Sequence, residues 1–150
     1  MLKEILHVGL TITDLDRSVA FYRDVLGLSY LGEMKMEGQE TELLFQRKGC
    51  KARVAYLSGN REVAAPPVEL IQFVGQDPDR QAGDLFRTSI SELCFAVEDI
   101  DREYQRLKAE GVEFLSEPQT FDSSRYGFGK SRAVYLRDPD GIVLELLQPL

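Results

Sequence analysis

The chain of 150 residues holds one histidine, two cysteines and no apolar run near the roughly 18 residues a membrane-crossing helix needs. Each shortage closes off a class. A single imidazole, His7, excludes a metal centre built on two histidines of one chain. Two cysteines give no disulfide framework: Cys50 follows Lys48-Gly49 in a turn-like stretch, and Cys94 sits in an apolar strand-like run, where a buried free thiol is expected. Basic residues are outnumbered, 18 Lys and Arg against 25 Asp and Glu, for a net charge of −7. Nucleic acid or an anionic membrane surface would repel such a chain, so the expected partner is a small molecule or another protein. The opening MLKEILHVG lacks the apolar core of a signal peptide, which points to the cytoplasm. With 43% hydrophobic residues the chain can bury an adequate core as one globular unit.

What is present is a repeat. Residues 7–26, HVGLTITDLDRSVAFYRDVL, run in step with residues 92–111, ELCFAVEDIDREYQRLKAEG, at an offset of 85. Later, RVAYL at 53–57 answers RAVYL at 132–136, and VELIQ at 68–72 answers LELLQ at 144–148. A half-length unit that recurs implies two copies of one supersecondary module. His7 aligns with Glu92 and Glu69 with Glu145, so four potential metal ligands fall in two equivalent pairs.

The periodicity predicts a strand over 5–13, then a helix capped by Asp14 with Leu15, Val19, Tyr22 and Leu26 at helical spacing until Gly27. Ile100, Tyr104 and Leu107 repeat that spacing between Asp99 and Gly111. Strand-like segments follow at 28–36, 41–49, 52–58 and 67–74 in the first half, and at 112–116, 131–137 and 142–148 in the second. The module reads β-α-β-β-β, twice, an α+β fold. Asp138-Pro139-Asp140-Gly141 is a tight turn, with 59–67 as its longer counterpart. Modules of about 1–75 and 86–150 are joined by a polar linker of about 75–85, and 121–130 reads as a loop.

Glu69 and Glu145 interrupt otherwise apolar strands. An unpaired buried carboxylate costs several kcal/mol, so each is expected to have a partner, a metal or a solvated cavity. Matching glutamates in both copies are hard to attribute to a solvated face.

These residues resemble the vicinal oxygen chelate superfamily, the glyoxalase I, bleomycin-resistance and extradiol dioxygenase fold, over essentially the whole chain. The opening stretch His7 to Ile12, Ser18 to Tyr22 and Val25-Leu26-Gly27 carries the likeness, with Asp138 to Gly141 and Leu144-Glu145-Leu146 closing it. The resemblance implies two tandem βαβββ modules whose sheets curl into a cleft, with a divalent metal held by His7, Glu69, Glu92 and Glu145. The family pattern has a second histidine where this chain has Glu92. That departure disfavours an extradiol dioxygenase, which resembles this fold but uses two His and a carboxylate. One imidazole and three carboxylates suit a divalent ion, Mn, Co, Ni, Mg, Fe or Zn, with a formal site charge near −1.

The activity implied by the resemblance is that of a metal-dependent glyoxalase I-like lyase, an isomerase or an epimerase, taking a proton from beside a carbonyl. Glu145 is the first candidate for the base and Glu69 the second. Arg125, Tyr126, Lys130 and Arg132 are candidates to receive a substrate carboxylate, and Phe45, Tyr56, Phe121 and Tyr135 to line a pocket. The rival is a non-catalytic drug- or metabolite-binding protein of the bleomycin-resistance type. A homodimer is expected, because sheet edges in this fold invite a symmetric partner.

Overall fold

The computed structural model describes residues 5–59 and 67–150. The chain forms two compact units, Met1–Arg80 and Gln81–Leu150, so the division falls inside the stretch read as a linker. In the first unit, β1 (Val8–Thr11) leads into α1 (Leu15–Ala20), which continues through a π-helical turn at Phe21–Val25. β2 (Ser29–Met36), α2 (Gln39–Leu44), β3 (Ala52–Ser58) and β4 (Val68–Phe73) complete it. The second unit contains β5 (Leu93–Ala96), α3 (Ile100–Ala109), β6 (Gln119–Asp122), a 3₁₀ turn at Ser124–Tyr126, β7 (Lys130–Arg137) and β8 (Val143–Pro149).

Each unit is a four-stranded sheet, ordered β1-β4-β3-β2 and β5-β8-β7-β6. The first and last strands of each unit run parallel and the other pairs antiparallel. The two α+β modules therefore share one topology.

α1 and α3 are tied to their sheets by the same three devices. Asp14 and Asp99 cap them, each accepting from the backbone N–H three residues on at 3.0 Å, a contact whose loss costs about 1 kcal/mol. Gln72 and Gln148 on the last strands accept from Leu15 N–H at 3.2 Å and Ile100 N–H at 3.0 Å. Arg53 and Arg132 on the third strands pair with Asp16 and Asp101 in the first helical turns. Side chains alternate along strands, so these contacts define a helix-covered face on each sheet. Leu10, Leu57 and Leu70 are buried on that face in the first unit, and Val134, Leu136, Leu144 and Leu146 in the second. Leu15 and Tyr22, or Ile100, Tyr104 and Leu107, complete these cores from the helices.

Four expectations are corrected. The first strand is shorter than 5–13, because only Val8–Thr11 pairs with β4. Residues 41–49 are no strand: Gln, Glu and Leu favour the helix at 39–44, and Leu43 and Leu44 point outward. Residues 112–116 make only a bridge at Phe114 to Leu136, since Pro118 has no N–H to continue the ladder. Pairing resumes at Gln119–Asp122, inside the segment read partly as loop. Most of the turn expected at 59–67 lies outside the described residues. Cys50 is the buried thiol, 1% exposed, and Cys94 is exposed. Among the described residues no helix is long and apolar enough to cross a membrane.

Candidate active site

Opposite the helix-covered face, each sheet carries a row of matched residues. In the first unit, Gly9, Glu69, Tyr56 and Gly32 are register partners across four strands. In the second, Cys94, Glu145 and Tyr135 occupy the same places across three. His7 and Glu92 lie two residues before Gly9 and Cys94, so the pleat turns them to the same side. Each unit thus presents one residue of the lead-in to its first strand, one carboxylate of its last strand and one tyrosine together.

In the first unit these groups touch. The Tyr56 hydroxyl donates to Glu69 Oε1 at 2.7 Å, and His7 Nε2 stands 3.2 Å from Glu69 Oε2. The imidazole also meets the Tyr56 ring edge-on, with centroids 6.1 Å apart. Burial, followed by the bond to the Glu69 carboxylate, pushes the Tyr56 phenol up to about 12. The Glu69 side chain is only 12% exposed, and among the described residues no Lys or Arg pairs with it. Gly9 makes room for it, since a Cβ there would lie 3.2 Å from Glu69 Oε2.

In the second unit Cys94 stands in the glycine's place, its side chain on the same face as Glu145. Although the residue keeps an accessible surface, neighbouring atoms desolvate the thiol. That loss of water, then the nearby Glu145 and Glu92 carboxylates, pushes the thiol up to about 12. The Tyr135 phenol is raised too, by burial first and then by Glu145, Glu92 and Cys94. Among the described residues no three His, Cys, Asp or Glu side chains gather closely enough to hold a metal ion.

The proposed substrate cations are placed differently. Arg132 lies on the helix-covered face and pairs with Asp101, as Arg53 does with Asp16, which separates it from the Glu145 row. Lys130 pairs with Asp122 at 3.2 Å, and Arg125 stacks over the Tyr126 ring at 4.4 Å. Of the aromatic candidates, Tyr56 and Tyr135 belong to the rows, Phe45 packs edge-on against Phe73 at 5.1 Å, and Phe121 is exposed.

Beside His7 and Tyr56 the first unit opens a pocket of ≈ 490 Å³, lined by Leu6, His7, Leu31, Gly32, Glu33, Met34, Tyr56 and Pro67. Most of this wall is absent from the site residues read in the sequence. The available signal was Gly32, an isolated glycine in a strand pattern; its φ is +141° and the β2–β3 register shifts between Tyr30 and Gly32.

A model of the Glyoxalase/Bleomycin resistance protein/Dioxygenase superfamily matches residues 4–146. The chain belongs to that superfamily. Within it, the chain is 28% identical over 144 residues to a probable lactoylglutathione lyase of Vibrio cholerae, covering 96% of this chain and 89% of the relative. It is 30% identical over 145 residues to a 2-epi-5-epi-valiolone epimerase of Actinomyces sp., covering 94% and 76%. Among solved structures, a glyoxalase family protein from Bacillus cereus superposes with a TM-score of 0.83 at 23% identity, covering 100% of this chain and 96% of that one. Glyoxalase I of Leishmania major gives 0.69 at 22%, covering 98% and 87%. At these identities the structural likenesses establish the glyoxalase fold.

Proposed function

We propose that the chain is a metal-dependent glyoxalase I-like lyase, isomerase or epimerase that removes a proton from beside the carbonyl of a small molecule. The carrying observation is the pair of matched rows, which set Glu69 and Glu145 on the uncovered face at equivalent places. A carboxylate as enclosed as Glu69, met by a phenol and an imidazole and by no Lys or Arg among the described residues, is a donor set suited to a divalent cation. His7, Glu69, Glu92 and Glu145 are the proposed ligands. When bound, the ion supplies Lewis-acid stabilisation of negative charge on the substrate oxygen.

The chain's own residues divide the remaining work. Glu69 is fixed by Tyr56 and His7, which suits it to holding and orienting. Glu145 has Cys94 as its neighbour on the first strand, a thiol being a weaker hydrogen-bond donor than a phenol, and is therefore the freer carboxylate to accept a proton from carbon. Relatives named as a lyase and an epimerase support the reading.

The test is exchange of an α-proton for deuterium across a panel of hemithioacetals, 2-oxo thioesters and α-hydroxy ketones. Metal-loaded protein should exchange at least one of them. Excess Mn²⁺, Co²⁺ or Ni²⁺ should also raise the melting temperature of chelated protein, by about 2–3 kcal/mol of stability at a hundredfold excess over Kd. Unchanged melting with every ion removes the metal site. A sequestering protein is the second reading, favoured by the mostly apolar pocket; ligand binding without metal and without exchange would establish it. The same proposal places the chain in the cytoplasm as a homodimer, and a 17.0 kDa species in sedimentation at micromolar concentration would refute the dimer.

A further inference from the structure

We infer that the pocket beside His7 binds the apolar, uncharged arm of the substrate, so that the preferred substrate is a neutral carbonyl compound and not an anionic glutathione adduct. The inference rests on the reading above that the His7–Glu69 row belongs to the active site.

Three observations carry it. The pocket wall is mostly hydrocarbon, from Leu6, Leu31, Met34, Pro67 and the Tyr56 ring, and its volume of ≈ 490 Å³ is that of a small-molecule site. Among the described residues no Lys or Arg lines it. Arg53, on the strand that carries Tyr56, lies on the opposite, helix-covered face, bound through Nε to Glu33 at 2.8 Å and through Nη2 to Asp16 at 2.9 Å.

Among the described residues the charge that adjoins the pocket is negative. Glu69 meets it through His7 and Tyr56, while the Glu33 carboxylate is held by Arg53 on the helix-covered face, so a substrate carboxylate placed there would lose water and gain only like charge. A glutathione moiety carries two carboxylates and one ammonium, and a chain of net charge −7 adds a long-range penalty to its approach. The cations elsewhere do not offset this. Arg132 and Lys130 have carboxylate partners and Arg125 lies on Tyr126.

Polar recognition is left to the rim formed by His7, because the Tyr56 hydroxyl is committed to Glu69. A ketone or hydroxyl oxygen at His7 with an aliphatic or aromatic arm against Leu31 and Met34 satisfies every group in the pocket.

The experiment is titration calorimetry of the full chain, metal-loaded and chelated, with two inert probes: 2,2-dimethylpropiophenone, neutral and without an α-proton, and S-hexylglutathione, anionic. The neutral probe should bind at least tenfold tighter. Leu31 and Met34 are 36% and 44% exposed, so Leu31→Asp and Met34→Glu should fold, with melting within a few degrees of the parent, and should weaken the neutral probe at least tenfold. Met34→Lys should tighten S-hexylglutathione. Tighter binding of S-hexylglutathione by the parent, no binding of either probe, or unchanged binding by folded Leu31→Asp and Met34→Glu each overturns the inference. Probe binding measures the pocket and deuterium exchange measures the chemistry. Loss of exchange with neutral binding intact therefore refutes the enzyme and leaves the pocket assignment standing.

Discussion

The two units fold alike and keep their carboxylates differently. In the first, glycine at position 9 opens space for Glu69, which a phenol and an imidazole then hold. In the second, Cys94 stands in the glycine's place and Glu92 in the histidine's. Equivalent backbone positions can thus be tuned by their immediate neighbours into a fixed carboxylate and a freer one, with no change of topology.

The sharpest way to break the comparison is to neutralise each glutamate in turn. Glu145→Gln should lower α-proton exchange by about 10²–10⁴-fold, the range for a general base, while metal still raises the melting temperature. Glu69→Gln should chiefly weaken the metal-induced shift. If both variants lose exchange and metal response equally, the division of labour is wrong.

Removing the tyrosine hydroxyls comes next. Tyr56→Phe strips a donor from a nearly buried carboxylate and should cost about 1–3 kcal/mol in denaturant melts. Tyr135→Phe should stay within about 0.5 kcal/mol, as no carboxylate contact of its hydroxyl appears among the described residues. Equal losses would mean that the units are not tuned apart.

Gly9→Ala should change stability by less than about 1 kcal/mol, because the crowded atom is the end of a side chain and the reduced freedom of the unfolded chain offsets the contact. It should nonetheless lower exchange several-fold by displacing Glu69, whereas Cys94→Gly should not impair metal binding. An activity of Gly9→Ala equal to the parent's would show that Glu69 needs no cleared space.

A further effect is alkaline. Cys94, ordinarily near 9.0, and Tyr56, ordinarily near 10.0, are each pushed up to about 12. Both hold their protons more tightly folded than unfolded, so their contribution is complete below about pH 9 and is lost as pH rises toward 12. Urea midpoints should fall through that window, and less steeply in Cys94→Ala. A flat midpoint from pH 9 to 11 would contradict the raised values.

Much of this arrangement was legible in the repeat. Asp14 and Asp99, Gly27 and Gly111, and the paired glutamates all stand at matched positions, because helix capping, helix termination and carboxylate burial each demand a narrow residue type. The errors fall where the copies differ. TELLFQRKG at 41–49 carries apolar residues without a partner strand, and the outward Leu43 and Leu44 show that pattern alone could not settle which element formed. The bulge at Gly32 and the pocket it borders depend on register with β3, a long-range property that no local window records. Arg132 looked like part of a basic cluster with Arg125 and Lys130; the face it occupies follows from its pairing with Gln148 and from Asp101, which lies 31 residues earlier.

The π turn at Phe21–Val25 marks a difference in length between the copies. The copies are offset by 85 residues at Asp14 and Asp99 but by 84 at Gly27 and Gly111, and the glycines that end the two helices share the same φ of +82°. The first copy therefore fits one more residue between equivalent landmarks, and the widened turn is where the surplus is looped out without disturbing the strands on either side. Later offsets fall to 79 at Tyr56 and Tyr135 and 76 at Glu69 and Glu145, steps that accumulate in connections and leave the rows aligned. The length differences between the copies fall where hydrogen bonding can be rerouted, and the carboxylates keep their register through all of them.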